Sequence, residues 1–137
     1  MKLVIQGTAP SVNHMYENRE SHYRDKKGMP RMRRMRVLSR VAENYQTYGE
    51  ILTKSWINKN KWKTVNGKVI VNMWYYLPDN VKRDTNNTLK LLLDIFEHAG
   101  IYTNDYYALP RIIDFEVDKK NPRIEIEFVD YLTEVAG

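Results

Sequence analysis

The chain has 137 residues, 42% hydrophobic and 28% charged, and no cysteine. That length fits one domain able to bury its own core, and the absence of cysteine excludes disulfides and thiolate metal sites, leaving oxygen or histidine as metal ligands. The formal net charge of +5 is uneven: residues 1–63 hold 14 Lys+Arg against 5 Asp+Glu, and residues 64–137 hold 8 against 12. A basic half joined to an acidic half suits a protein that grips a polyanion with one surface and keeps carboxylates on another, although a solvated basic helix gives the same count. No apolar run reaches the length of a membrane span, and MKLVIQG passes directly into polar residues instead of a cleavable apolar core. A cytoplasmic protein without a membrane segment is expected.

Lys2 to Gln6 predicts a short strand ending before Gly7. The segment TAPSVNHMYENRESHYRDKKGMPR has no clean period and contains Pro10, Gly28 and Pro30, so it reads as a long loop. It mixes Arg19, Arg24, Lys26, Lys27 and Arg31 with Tyr16, His22 and Tyr23, a composition that can track phosphates and stack on exposed bases. From about residue 33 to 58, Leu38, Val41, Tyr45, Tyr48 and Leu52 recur at spacings of three and four, predicting one face of a long helix. Arg33, Arg34, Arg36 and Arg40 in its first turns oppose the helix dipole, which points to phosphate contact or to solubility. An Asn66-Gly67 turn signal leads into a strand from Lys68 to Leu77.

A second helix is expected from VKRDTNNTLK to about Ala99, burying Leu89, Leu92, Leu93, Phe96 and Ala99, with Gly100 as its C-terminal cap. RIIDFEVD and RIEIEFVD follow as strands, with Ile113, Phe115 and Val117 sharing one face of the first and Ile124, Ile126 and Phe128 one face of the second. The short Lys119–Pro122 linker predicts a hairpin between them. The expected fold is α+β: a single domain over residues 1–137, with two main helices packed on a mixed sheet.

On local grounds Asp84 or Thr85 caps the second helix, since a carboxylate or hydroxyl there accepts from free backbone amides. Asn87, Lys90 and Asp94 form a narrow polar stripe opposite the apolar face, and Lys90 with Asp94 suits a surface ion pair. Asp105 places another acid in the turn beyond the helix. Two acids from separate loops with a lysine nearby fit Mg²⁺ held by carboxylates, waters and a substrate phosphate. His14, His22 and His98 show no paired ligand spacing, and the tyrosines and tryptophans are placed mostly for packing.

PSVNHMY, then KRDTNNTLKLLLDIFEHAGIYTNDYY, then a terminal pair of strands together resemble the RusA family of Holliday junction resolvases over nearly the whole chain. The resemblance implies a small homodimeric, Mg²⁺-dependent endonuclease of phage or prophage type, acting on branched DNA without an organic cofactor; Mn²⁺ is the expected substitute metal. It implies Asp84, Lys90 and Asp105 as catalytic residues, Asp84, Asn86 and Asp105 as metal ligands, and Asn87 and Asp94 in support. Asn104 stands where the family's final acid pair has its first Asp. Asn86 is the main departure, because the family carries a catalytic Asp there. Pro10, Ser11 and Asn13 match an N-terminal Pro-Ser-x-Asn element, so Asn13, Arg19, Arg24, Lys26, Lys27, Arg31, Arg33, Arg34 and Arg83 are expected along the DNA. The amide of Asn86 can lend a metal an oxygen but no charge, and cannot act as a base. This leaves an enzyme with a softened site or a junction-binding protein that no longer cuts; an RNA-binding domain is a third reading of the basic surface.

Overall fold

The computed structural model describes residues 1–11 and 14–136. The chain runs β1 (Leu3–Gln6), β2 (Tyr16–Arg24), β3 (Pro30–Leu38), α1 (Arg40–Asn60), β4 (Val69–Leu77), α2 (Leu89–Ala99), β5 (Ala108–Val117), β6 (Arg123–Asp130) and α3 (Tyr131–Ala136). Four strands form one mixed sheet in the order β1-β6-β4-β5, and β2 and β3 form a separate two-stranded sheet. The fold is α+β, as expected. Among the described residues no helix is long and apolar enough to cross a membrane.

Alternation builds the core. Leu3 and Ile5, Ile124, Ile126 and Phe128, and Val71, Met73 and Tyr75 lie in register across β1, β6 and β4, so all project from one face, and all are buried. Both main helices bury onto that face: Trp56 of α1 and Phe96 of α2 pack edge-on against Phe128 at 5.1 and 4.9 Å. Leu91, Leu92, Ile95 and Phe96 are the buried residues of α2, with Leu89 and Leu93 partly covered, and Gly100 caps the helix at φ 104° as expected.

Helix α1 keeps Tyr45 and Leu52 against the core as expected, but its buried face is turned partly away from the one its large side chains predict. Its buried residues are Ala42, Gly49, Thr53 and Trp56, while Val41 and Tyr48 are exposed. The reason is close packing: a Cβ on Gly49 would lie 3.0 Å from Ile95 Cδ1 of α2, so small residues set the helix contact.

Three further expectations are corrected. The long loop is a β-hairpin, with nine cross-strand pairs from Tyr16–Leu38 to Arg24–Pro30. Its turn is built by Asp25, whose Oδ1 accepts from the Lys27 and Met29 amides, and by Gly28 at φ 79°. These hydrogen bonds, first that from Met29 and then the Arg31 side chain, hold the Asp25 carboxyl below the usual range. Helix α1 therefore starts at Arg40, capped by Ser39 accepting from the Ala42 amide, and Arg33, Arg34 and Arg36 lie on β3 where no helix dipole opposes them. Finally, β5 and β6 do not pair. β4 lies between them, parallel to β5 and antiparallel to β6, because this strand is the most apolar and takes the central position. β5 is left as an outer strand with a bulge after Ile112, and Ile113, Phe115 and Val117 are exposed instead of joining the core.

Candidate active site

Between β4 and α2 the chain makes a 3-10 turn, Thr85–Thr88, that leads directly into α2. Asp84 is its N-cap, with extended backbone (φ −87°, ψ 100°), and its Oδ1 accepts from the Asn86 amide at 3.0 Å. The Thr88 hydroxyl donates to the Thr85 carbonyl at 2.7 Å. That hydroxyl has one proton, so the Tyr75 hydroxyl, 2.6 Å away, donates to it. Tyr75 is a core residue of β4, and burial pushes its phenol up to about 12. The turn bearing Asp84, Asn86 and Asn87 is thus fastened to the central strand by one buried chain of hydroxyls.

Downstream, Lys90, Asp94 and Glu97 project from the outer side of α2. Lys90 Nζ stands 4.0 Å from Asp94 Oδ2, and Glu97 Oε1 accepts from the Asp105 amide at 2.7 Å. Asp105 lies near enough to Asp94 to act on its carboxyl. Burial first, then Asp105, raises the Asp94 carboxyl above the ordinary range, and the Lys90 charge opposes the rise. The segment carrying Asp105 is anchored on its other side: Trp62 Nε1 and the Val65 amide both donate to the Ile101 carbonyl, and the Thr103 amide donates to Val65. Tyr102 is buried and donates to the Leu93 carbonyl at 2.7 Å. Asn104 caps the short turn Asp105–Tyr107 by accepting from the Tyr106 amide.

Of the expected polar stripe, Lys90 and Asp94 lie on α2, with Asp105 of the following turn near them, whereas Asn87 lies on the preceding 3-10 turn, because α2 starts only at Leu89. Asp84, Asp94 and Asp105 do not close into one cluster: among the described residues no three acids or histidines converge as a metal site. The donors available are carboxylate and amide oxygens, which suit a hard divalent cation completed by water and phosphate oxygens. Two neighbouring carboxylates with one lysine to offset them also favour a positive charge.

Of the expected DNA-facing residues, Arg19, Arg31, Arg33 and Arg34 lie on the hairpin strands and Lys26 and Lys27 at its tip. Arg33 and Arg34 project to opposite faces of the hairpin, opposite Ser21 and Glu20. Arg19 pairs with Glu17 and Arg31 with Asp25, and Arg24 braces the turn by donating to the Gly28 carbonyl. Arg83 is held by Asp79. Asn13 lies outside the described residues. Sequence reasoning missed Glu97 and the Tyr75–Thr88 pair; Glu97, three residues beyond Asp94 on the same stripe, carried a readable signal, whereas the hydroxyl pair depends on how the turn packs against β4.

The chain thus carries an acidic, lysine-bearing helix face and a basic two-stranded arm. The family model described as Endodeoxyribonuclease RusA matches residues 9–128, and the chain belongs to this family of Holliday junction-resolving endonucleases. No curated protein matches the chain.

Proposed function

We propose that the protein is a Mg²⁺-dependent endonuclease, Mn²⁺ substituting, that resolves four-way DNA junctions as a homodimer by paired symmetric nicks. The observation that carries this reading is the placing of Lys90 and Asp94 on α2 with Asp105 near them, on the helix that the turn bearing Asp84 and Asn86 leads into, in a chain of this family. Asp84 and Asp105 would hold the metal, with the Asn86 amide oxygen as a neutral third donor and Asp94 supporting Asp105. When bound, such an ion lowers the pKa of a coordinated water and offsets charge on the phosphate. Lys90 places a positive charge beside the phosphate undergoing attack, with Asn87 in support on the neighbouring turn. The hairpin arginines and lysines follow the backbones, giving affinity that falls steeply with salt.

A four-way junction has approximate twofold symmetry, which two equivalent sites match. Support for a second copy comes from β5, an outer strand whose unpaired edge carries exposed Ile113, Phe115 and Val117. The second reading, a junction binder that does not cut, is favoured by Asn86 itself and by the absence of a three-acid cluster among the described residues. The test is binding and nicking of a synthetic junction, against duplex DNA and duplex RNA competitors, with Mg²⁺ or Mn²⁺. Paired nicks by this chain exclude the binding-only reading. Binding without nicks, restored by Asn86→Asp, establishes it, and equal affinity for duplex DNA or RNA removes the junction assignment.

A further inference from the structure

A cavity of about 500 Å³ opens beside Asp84, where the ends of β4 and β6, the segment after β1 and the start of α1 meet the 3-10 turn. Its walls are largely apolar, with Pro10, Val41, Leu77 and Ile124 among them, and Asp84, Asn87 and His14 supply polar groups. The volume lies in the range of small-ligand sites, and apolar walls with a few polar groups are what a planar heteroaromatic ring requires. We propose that this cavity takes a single nucleobase, turned out of the stack, from the strand whose phosphate lies at Asp84. This rests on the junction-cleaving reading above and adds to it a pocket that reads sequence.

The charges exclude a phosphate as the occupant. Among the described residues no lysine lines the cavity, and its two arginines are already compensated: Arg83 by Asp79, and Arg123 by Asp118 at 2.9 Å and Glu125 at 2.8 Å. On its inward side, away from a bound cation, Asp84 repels a phosphate, but it tolerates a neutral base whose own phosphate stays outside. Turning a base out costs least where pairing is already interrupted, as at the centre of a branched junction. Asn87, half-buried on the turn, presents both an amide donor and a carbonyl acceptor, the pair of groups that reads a base edge. Asn87 then sets which base is accepted, so that cutting preference and catalysis arise from neighbouring residues of one turn.

The test scans 2-aminopurine through the central positions of a synthetic junction, without added metal and at saturating protein, reading its fluorescence on binding. The expected result is a several-fold rise at one symmetry-related pair of positions and none in the arms. Val41→Phe, which fills the cavity from an exposed helix position, is expected to abolish that rise in a protein whose circular dichroism is unchanged. A junction that binds tightly with no central rise, or a rise that survives Val41→Phe in the folded variant, overturns the base pocket and leaves the proposed function standing. Failure to bind the junction more tightly than duplex overturns both.

Discussion

Tyr75→Phe isolates the fastening of the site turn to the sheet. The ring stays in place, so no apolar contact is lost; only the hydroxyl that donates to Thr88 at 2.6 Å disappears. Thr88 keeps its own donor bond to the Thr85 carbonyl and loses an incoming one. A net hydrogen bond contributes about 1 kcal/mol, which for a chain of this size lowers Tm by about 3–5 °C. Thr88→Val is the harsher change. It deletes the bond to Thr85 and leaves the buried Tyr75 hydroxyl with no acceptor, which costs about 2–3 kcal/mol. In the double variant that orphaned hydroxyl is gone, so its loss should be smaller than the sum of the two single losses by about 1 kcal/mol. Thermal unfolding followed by circular dichroism measures all four proteins, and hydrogen exchange at the Asn86 and Asn87 amides reports local loosening. Strict additivity would refute the Tyr75–Thr88 bond itself, and equal losses for the two single variants would refute the harsher cost assigned to Thr88→Val.

Asn86→Asp adds one charge at an exposed position, so a water-like dielectric applies, and its attraction for a divalent ion about 4 Å away is about 2 kcal/mol. Calorimetry should therefore show Mg²⁺ affinity rising by roughly 30-fold; unchanged affinity would remove Asn86 from the metal site. Gly49→Val drives methyl groups into Ile95 and should cost about 2–3 kcal/mol in chemical unfolding, despite valine's better helix propensity. Stability at or above that of the parent would show that the helices do not meet there. Arg33→Ala combined with Arg34→Ala should lower the slope of log K against log salt by about 1.8 if each contacts one phosphate of B-form DNA. A fall of only about 0.9 would mean that one face of the hairpin is used, and no change would remove the arm from the interface.

Legibility followed periodicity. β4, β6 and α2 were readable because one face of each is buried, which imposes a period of two or 3.6 on apolar residues, and Gly100 marked its helix end through the backbone conformation it takes. The β2–β3 hairpin was not readable, since it is exposed on both faces and nothing selects an apolar row; its arginines read equally well as a helix. Only DKKG carried a local turn signal. The buried face of α1 was only partly readable: Tyr45 and Leu52 reach the core, but a close helix contact selects Gly49, and the larger Val41 and Tyr48 stay exposed. The partnership of β5 and β6 was misread because a short linker usually implies neighbouring strands, while here it passes the end of β4, with the Asp118 amide donating to the Leu77 carbonyl.

The candidate site divides in the same way. Asp84, Lys90, Asp94 and Asp105 stood out through spacing and family resemblance, and the cap at Asp84 is present alongside any role in metal binding. The nearness of Asp105 to Asp94 needed the fold, because it depends on Trp62, Thr64 and Val65 holding the segment after Gly100 against the end of α2. A residue's chemistry is legible from its type, but its partners are set by long-range packing.

If the turn after Asp84 and helix α2 together cleave junction strands, Asn86 is the weak member of their site. Strand-mapped nicking of a synthetic four-way junction in Mg²⁺, comparing the chain with Asn86→Asp and Asp105→Asn, tests it most directly. Paired nicks are expected at symmetry-related positions, at least about tenfold faster with Asn86→Asp, in line with the gain in metal attraction, and lost with Asp105→Asn. Cleavage that survives Asp105→Asn, or that Asn86→Asp leaves no faster, would contradict that expectation.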